Sequence, residues 1–283
     1  MSTIIDGKFV AETLREKIKQ ETTELLASTG KTPSLTVIIV GENPASKVYV
    51  RNKKKFALEV GFETDTIQLP EATTEAELLA QIEKLNHNAD VNGILVQLPL
   101  PPHMNEQTII RTIAVEKDVD GFHPEQVGGL SIGLDTLEPC TPAGIIALLN
   151  HYNIEISGKN AVVIGRSNIV GKPIANMLLK LDATVTITHS RTTNLANITR
   201  EADILIVAIG RACFLTEGMV KDGAVVIDVG INRTEDQKLV GDVDYESVSQ
   251  KASYITPVPG GVGPMTIAML LANTLKAFKR QSL

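Results

Sequence analysis

The sequence predicts an α/β protein of two domains built on mostly parallel sheets. Short β-branched apolar runs alternate with amphipathic helical stretches almost throughout the 283 residues, the pattern of right-handed strand–helix–strand units. Aromatic residues are only 4% and Trp is absent, so aliphatic side chains must fill the core, as in sheets covered on both faces by helices. A Gly- and Pro-rich stretch without periodicity, around Gly128–Thr141, marks the boundary between the domains.

The strand candidates are Leu35–Val40, Thr64–Leu69, Gly93–Leu98, Ala161–Ile164, Thr184–Thr188, Ile204–Ala208, Ala224–Val229 and Tyr254–Ile255, and the segments between them read as helices. Asn43 followed by Pro44 forms a helix cap and first turn, and Gly61 marks the stop. Pro142–Tyr152 reads as a linking helix. The loop Thr256–Pro264 precedes a final helix from about Met265 to Lys279, expected to return to the first domain and leave a cleft between the two.

Composition narrows the classes. A net charge of -6 argues against a nucleic-acid partner, which leaves a basic footprint. Two cysteines, Cys140 and Cys213, make no disulfide framework, and neither has a charged neighbour in sequence that would mark a reactive thiolate. The N-terminus lacks the order of a secretory leader, and no apolar run reaches the roughly 18–20 residues that cross a bilayer. The expectation is a soluble, cytoplasmic protein without a membrane partner. The five histidines are scattered and suggest no metal site.

One segment points to a dinucleotide. Lys159–Gly171, KNAVVIGRSNIVG, reads as a buried strand, a glycine turn and a helix start, where free N–H groups favour a pyrophosphate. Against the G-x-G-x-x-G pattern, Gly165 takes the first position, Ser167 the second and Val170 the third. A glycine turn in another parallel-sheet domain would read similarly. The next strand ends in His189, Ser190 and Arg191, where an NAD site would carry an acid for the ribose 2′-hydroxyl. A hydroxyl and a guanidinium suit a 2′-phosphate instead, with Arg166 as a second cation, and so favour NADP.

A lysine stands out in the first domain. On the helix ASKVYVRNKKKFALEV, Lys53 falls in a stripe with Ala45, Tyr49, Phe56 and Val60, while Lys54 and Lys55 point away. Either Lys53 snorkels from an apolar stem, or it projects into a cleft beside Tyr49 with a lowered pKa. Gln97 interrupts the apolar strand GILVQLPL near its carboxyl end, and its amide is bonded to backbone or aimed at a ligand. Asp120, in KDVDGF, reads first as a turn-forming residue.

Taken together, VGENPASKVYVRNKKKFALEVGF, GILVQLPLPPH, EKDVDGFHPEQVGGL, PCTPAGI, VIGRSNIVGKP, THSRT, VIDVGIN and PVPGGVGPMTIAML cover nearly the whole chain. In that order they resemble the bifunctional methylenetetrahydrofolate dehydrogenase/cyclohydrolase family. The resemblance implies an N-terminal three-layer α/β domain over residues 1–138, completed by a C-terminal helix over 264–283. It implies a Rossmann-like NADP-binding domain over 139–263, and a homodimer. It further implies that Lys53 is the general acid/base, that Tyr49 stacks on the folate, that Gln97 tunes Lys53 and that Asp120 binds the pterin. Pro259, Gly260, Gly261, Pro264 and Thr266 would shape the folate side of the site. Gly165, Arg166, Ser167, Ile169, Val170, Gly171, His189, Ser190, Arg191 and Ile231 would hold the NADP.

The expected reaction is oxidation of 5,10-methylenetetrahydrofolate and hydrolysis of the methenyl product to 10-formyltetrahydrofolate. Two other readings stay open: a two-domain NADP oxidoreductase acting on a different small substrate, or a dinucleotide-binding sensor without catalysis.

Overall fold

The structure, a computed structural model, describes residues 2–282. The first half runs β1 (Thr3–Ile4), α1 (Gly7–Thr29), β2 (Ser34–Val40), α2 (Pro44–Glu59), β3 (Glu63–Leu69), α3 (Glu75–Asn86), β4 (Gly93–Val96), α4 (Glu106–Thr112) and α5 (Pro124–Ser131). The second runs α6 (Cys140–His151), β5 (Asn160–Ile164), α7 (Gly171–Lys180), β6 (Thr184–Thr188), α8 (Leu195–Thr199), β7 (Ile204–Val207) and β8 (Val225–Asp228). It closes with β9 (Asn232–Arg233), β10 (Leu239–Val240), α9 (Tyr245–Val248), β11 (Tyr254–Ile255) and α10 (Val262–Ser282). None of these helices is long and apolar enough to cross a membrane.

Two compact units result. One comprises Thr13–Gly129, Leu134–Cys140 and Ile267–Leu283; the other comprises Met1–Glu12, Leu130–Gly133 and Thr141–Thr266. The expected breaks after 138 and 263 compare with observed ones at 140 and 266. The N-terminus departs from the expectation that 1–138 form one domain. Thr3 and Ile4 pair in parallel with Tyr254 and Ile255, which draws the first twelve residues into the unit that holds Thr141–Thr266. A two-residue strand is too short to show any periodicity in sequence.

The first unit holds a parallel three-stranded sheet, ordered β3-β2-β4. Successive residues of a strand face opposite sides, and β2 uses both. Val37 and Ile39 join Ile18 of α1, Val50 and Ala57 of α2, and Leu270, Leu271 and Leu275 of α10. Ile38 and Val40 join Leu78 and Ile82 of α3 and Ile109 of α4. That makes three layers. The cap at α2 is formed, with the Ser46 amide donating to Asn43 Oδ1 at 3.1 Å, and Gly61 takes φ +84° at the stop. Strand β4 ends at Val96, two residues before the expected end.

The second unit holds a six-stranded sheet ordered β1-β11-β8-β7-β5-β6, with every pair parallel. Its central strands β7 and β8 are buried along their whole length. The short antiparallel β9–β10 ladder carries no strand signal in the sequence. Helix α10 starts at Val262, three residues before the expected start, since Pro264 is tolerated in a first turn where its missing N–H costs nothing.

Candidate active site

In the three-stranded unit, α2 carries Lys53 inward. The buried stripe of the helix is Ser46, Val50, Lys53, Ala57 and Val60, turned by about one residue from the stripe expected. Tyr49 therefore flanks it at 38% exposed, and Lys54 and Lys55 face solvent as expected. Only 8% of Lys53 is exposed. Its Nζ donates to Gln97 Oε1 at 2.9 Å, and Gln97 Nε2 donates to the Leu98 carbonyl at 2.6 Å. The backbone alternative for Gln97 is thus the one observed, and the tie to Leu98 turns its oxygen toward the lysine. Burial lowers the pKa of Lys53 below the ordinary lysine value, and the nearby Asp120 carboxylate and Cys140 oppose the shift.

The Asp-Gly turn is organised by a residue the sequence reading passed over. Asp118 is 1% exposed, and its Oδ2 accepts from the His123 amide at 2.7 Å. Asp118 is therefore the turn-former, which leaves the Asp120 carboxylate to interact with Lys53. Gly121 is required here: at φ +73°, a Cβ would lie 2.6 Å from the Leu137 carbonyl oxygen. Burial raises the Asp120 pKa, and the Lys53 charge and Cys140 thiol pull it back. Burial, and secondarily the charge of Asp120, raises Asp118 to about 7. Cys140 does have charged neighbours, contrary to its sequence setting. Burial first, then Asp120, still drives its thiol well above the ordinary value, so it is no thiolate, and Sγ donates to the Val119 carbonyl at 3.3 Å. The spacing Asp-x-Asp-Gly was the available signal for Asp118; nothing local in sequence marks Cys140.

In the six-stranded unit, β5 delivers the glycine turn. Gly165 has φ +126°, and a Cβ there would lie 2.3 Å from the Ala208 carbonyl oxygen. A Cβ on Gly171 would lie 2.4 Å from the Gly165 carbonyl oxygen. The close-packing glycine is thus Gly171, not the Val170 position given by the standard spacing. Ser167 Oγ accepts from the Val170 and Gly171 amides at 3.1 and 3.2 Å, closing the first turn of α7. Ile169 is exposed and Val170 half-buried.

After β6, His189 Nδ1 accepts from the Arg191 amide at 3.1 Å, and the His189 amide donates to Thr192 Oγ1 at 2.9 Å. This tight turn presents Ser190 and Arg191 to solvent. Neither Arg191 nor Arg166 pairs with a carboxylate among the described residues. A cradle with no room for Cβ, beside two exposed cations, fits a dinucleotide carrying an extra phosphate.

Gly260 takes φ +109°, and a Cβ on Gly261 would meet the Pro257 carbonyl oxygen at 2.6 Å. Pro259 is exposed and Pro264 half-buried, while Thr266 Oγ1 shares a 2.9 Å hydrogen bond with Thr141 Oγ1. Ile231 is 49% exposed, and its Cδ1 lies 3.8 Å from where a Gly263 Cβ would stand. Ile231 and this loop are therefore neighbours.

Comparison with known families and structures places the chain among relatives. Residues 5–120 match the family described as tetrahydrofolate dehydrogenase/cyclohydrolase, catalytic domain, and residues 139–282 match its NAD(P)-binding domain. The bifunctional protein FolD of Streptococcus gordonii is 56% identical over 280 residues, covering 99% of each chain. The crystal structure of the Campylobacter jejuni bifunctional enzyme superposes with a TM-score of 0.97 at 52% identity, covering 99% of each chain. That of the Trypanosoma brucei enzyme, complexed with NADP cofactor and inhibitor, gives 0.94 at 40% identity, covering 99% of this chain and 98% of the other.

Proposed function

Because the chain belongs to the tetrahydrofolate dehydrogenase/cyclohydrolase family, we propose that Lys53, Gln97 and Asp120 carry its hydrolytic step and that the Gly165–Gly171 turn holds NADP for its oxidative step. The enzyme oxidises 5,10-methylenetetrahydrofolate to the 5,10-methenyl form and hydrolyses that to 10-formyltetrahydrofolate. The observation that carries the assignment is a lysine 8% exposed, bonded to an oriented amide and beside a carboxylate.

The Gly165–Gly171 turn would hold NADP, which would supply the acceptor for the hydride of the methylene carbon. The two folate nitrogens stabilise the cation left behind, so this step asks the protein for orientation more than for proton transfer. Tyr49 offers a ring face to the folate, and Asp120 offers acceptor oxygens to pterin N–H groups. Arg166, Ser190 and Arg191 take the 2′-phosphate. Ser167, Ile169, Val170, Gly171, His189 and Ile231 line the rest of the nucleotide site.

Hydrolysis needs a base. Neutral Lys53 takes a proton from the water that adds to the methenyl carbon, while Gln97 Oε1 holds the amine in place. The ammonium then gives a proton to N5 as the carbon–N5 bond breaks. The adduct's hydroxyl proton leaves to solvent as the carbonyl forms, so one proton is released overall.

The deciding experiment mixes the protein with methylenetetrahydrofolate and NADP. The expected course is nucleotide reduction, then decay of the methenyl intermediate faster than its uncatalysed rate. Reduction without accelerated decay would remove Lys53 from its role. Arg191→Ala is expected to raise the KM for NADP by at least about tenfold, the worth of a charge-assisted hydrogen bond, with little change for NAD. Equal effects on the two nucleotides in initial-rate assays would refute the 2′-phosphate assignment.

The working form is a homodimer paired through β6. That strand is one edge of the six-stranded sheet, and its Ile187 is 41% exposed beside neither charge nor Pro in TVTIT. Native proteins protect or pair such edges. Ile187→Lys should shift the sedimentation coefficient from dimer to monomer; a parent that sediments as a monomer would end this reading.

A further inference from the structure

Two buried carboxylates at the carboxyl end of the six-stranded sheet take no part in the chemistry above. Asp242 is fully buried, and its two oxygens receive four donors. Oδ2 accepts from the Ile209 and Gly210 amides at 2.7 and 2.9 Å. Oδ1 accepts from the Arg211 amide at 2.8 Å and from Asn232 Nδ2 at 2.9 Å. Three successive amides of the loop after β7 thus converge on one carboxylate, an anion nest filled from within the protein. Asp228, 3% exposed at the end of β8, accepts from the Gly230, Asp242 and Val243 amides, each at 2.9 Å.

Each aspartate lies against a glycine near the other. A Cβ on Gly241 would lie 1.7 Å from Asp228 Oδ2, and one on Gly230 would lie 2.3 Å from Asp242 Oδ1. The two carboxylates are therefore keyed into one another's loops by positions that admit no side chain. Burial, with the charge of Asp242 adding to it, raises Asp228 to about 6.

The arrangement brackets Ile231. On one side the Gly230 amide is fixed to Asp228, and on the other the Asn232 side chain is fixed to Asp242. The same carboxylate holds Ile209–Arg211, the continuation of the strand end whose Ala208 carbonyl packs against Gly165. We propose that Asp228 and Asp242 are positioning residues of the nucleotide site, fixing Ile231 and the Ile209–Arg211 backbone where NADP meets them. This rests on the NADP reading of the same turn.

Asp242→Asn keeps the shape but turns an NH2 group toward amide donors. The expected result is a rise of at least about tenfold in the Kd and KM for NADP. The kcat at saturating NADP should stay within threefold, and nucleotide-free cyclohydrolase turnover within twofold. Loss of a residue that merely stabilised the fold would impair all of these together or none. Asn232→Ala, at a half-buried position, removes one bond without disturbing the carboxylates and is expected to raise the KM for NADP about threefold or more. It decides the matter if the Asp242 variant does not fold. Parent and both variants titrating NADP alike would overturn the proposal. A parent that binds no NADP at all would instead remove the reading beneath it.

Discussion

Lys53→Met is expected to lower cyclohydrolase turnover by about 10²–10⁴-fold, the range contributed by a positioned general acid/base. Oxidation of methylenetetrahydrofolate should persist, since hydride departure needs no proton from this side chain. The methenyl product should then accumulate, and its absorbance is the readout. Cyclohydrolase turnover within a few-fold of the parent would sink the assignment. The pH dependence has a definite sign. Burial holds the folded-state pKa of Lys53 below the ordinary lysine value of 10.5, so parent cyclohydrolase activity should rise with pH over a window below that value as the amine becomes neutral. The same shift means that the charged lysine destabilises the fold at low pH, and that this penalty is relieved as pH rises through the lowered value toward 10.5. Methionine carries no such penalty, so thermal denaturation of the variant should show a flatter pH profile than the parent's.

Gly165→Ala is expected to abolish most of the oxidative activity while sparing the hydrolytic one. An alanine at φ +126° is strained, and its methyl carbon would sit 2.3 Å from the Ala208 carbonyl oxygen, inside any allowed contact. Strain of this kind costs about 1–3 kcal/mol by itself, and a forced backbone shift adds to it. A loss of about 100-fold or more in kcat/KM for NADP follows from roughly 3 kcal/mol. Circular dichroism and the cyclohydrolase assay test whether the protein is otherwise intact. NADP kinetics like the parent's would show that the turn is not the phosphate cradle.

Much of this was legible in the residues. The aliphatic runs of β2, β5, β7 and β8 mark strands buried on both faces, and Asn43-Pro44 and Gly61 mark the ends of a helix. Lys53 could be suspected because a charge stands among apolar neighbours at helical spacing. Other features depend on contacts between distant segments. The pairing of Thr3–Ile4 with Tyr254–Ile255 spans some 250 residues and leaves no local trace. The division of labour between Asp118 and Asp120 depends on which carboxylate the His123 amide meets. The Gly171 contact depends on how the helix start folds back over Gly165, which a spacing rule borrowed from the commoner glycine pattern misplaced by one residue.

The pairing of β1 with β11 bears on how the protein is made. Strand β1 lines up beside a strand made some 250 residues later, so the six-stranded sheet lacks that edge until residue 255 has emerged. The three-stranded unit waits too, because Leu270, Leu271 and Leu275 of α10 belong to one of its two cores. Domains ordinarily fold in sequence during synthesis. Here neither unit can finish early, and the nascent chain must carry two incomplete cores, with apolar surface uncovered, until α10 has emerged.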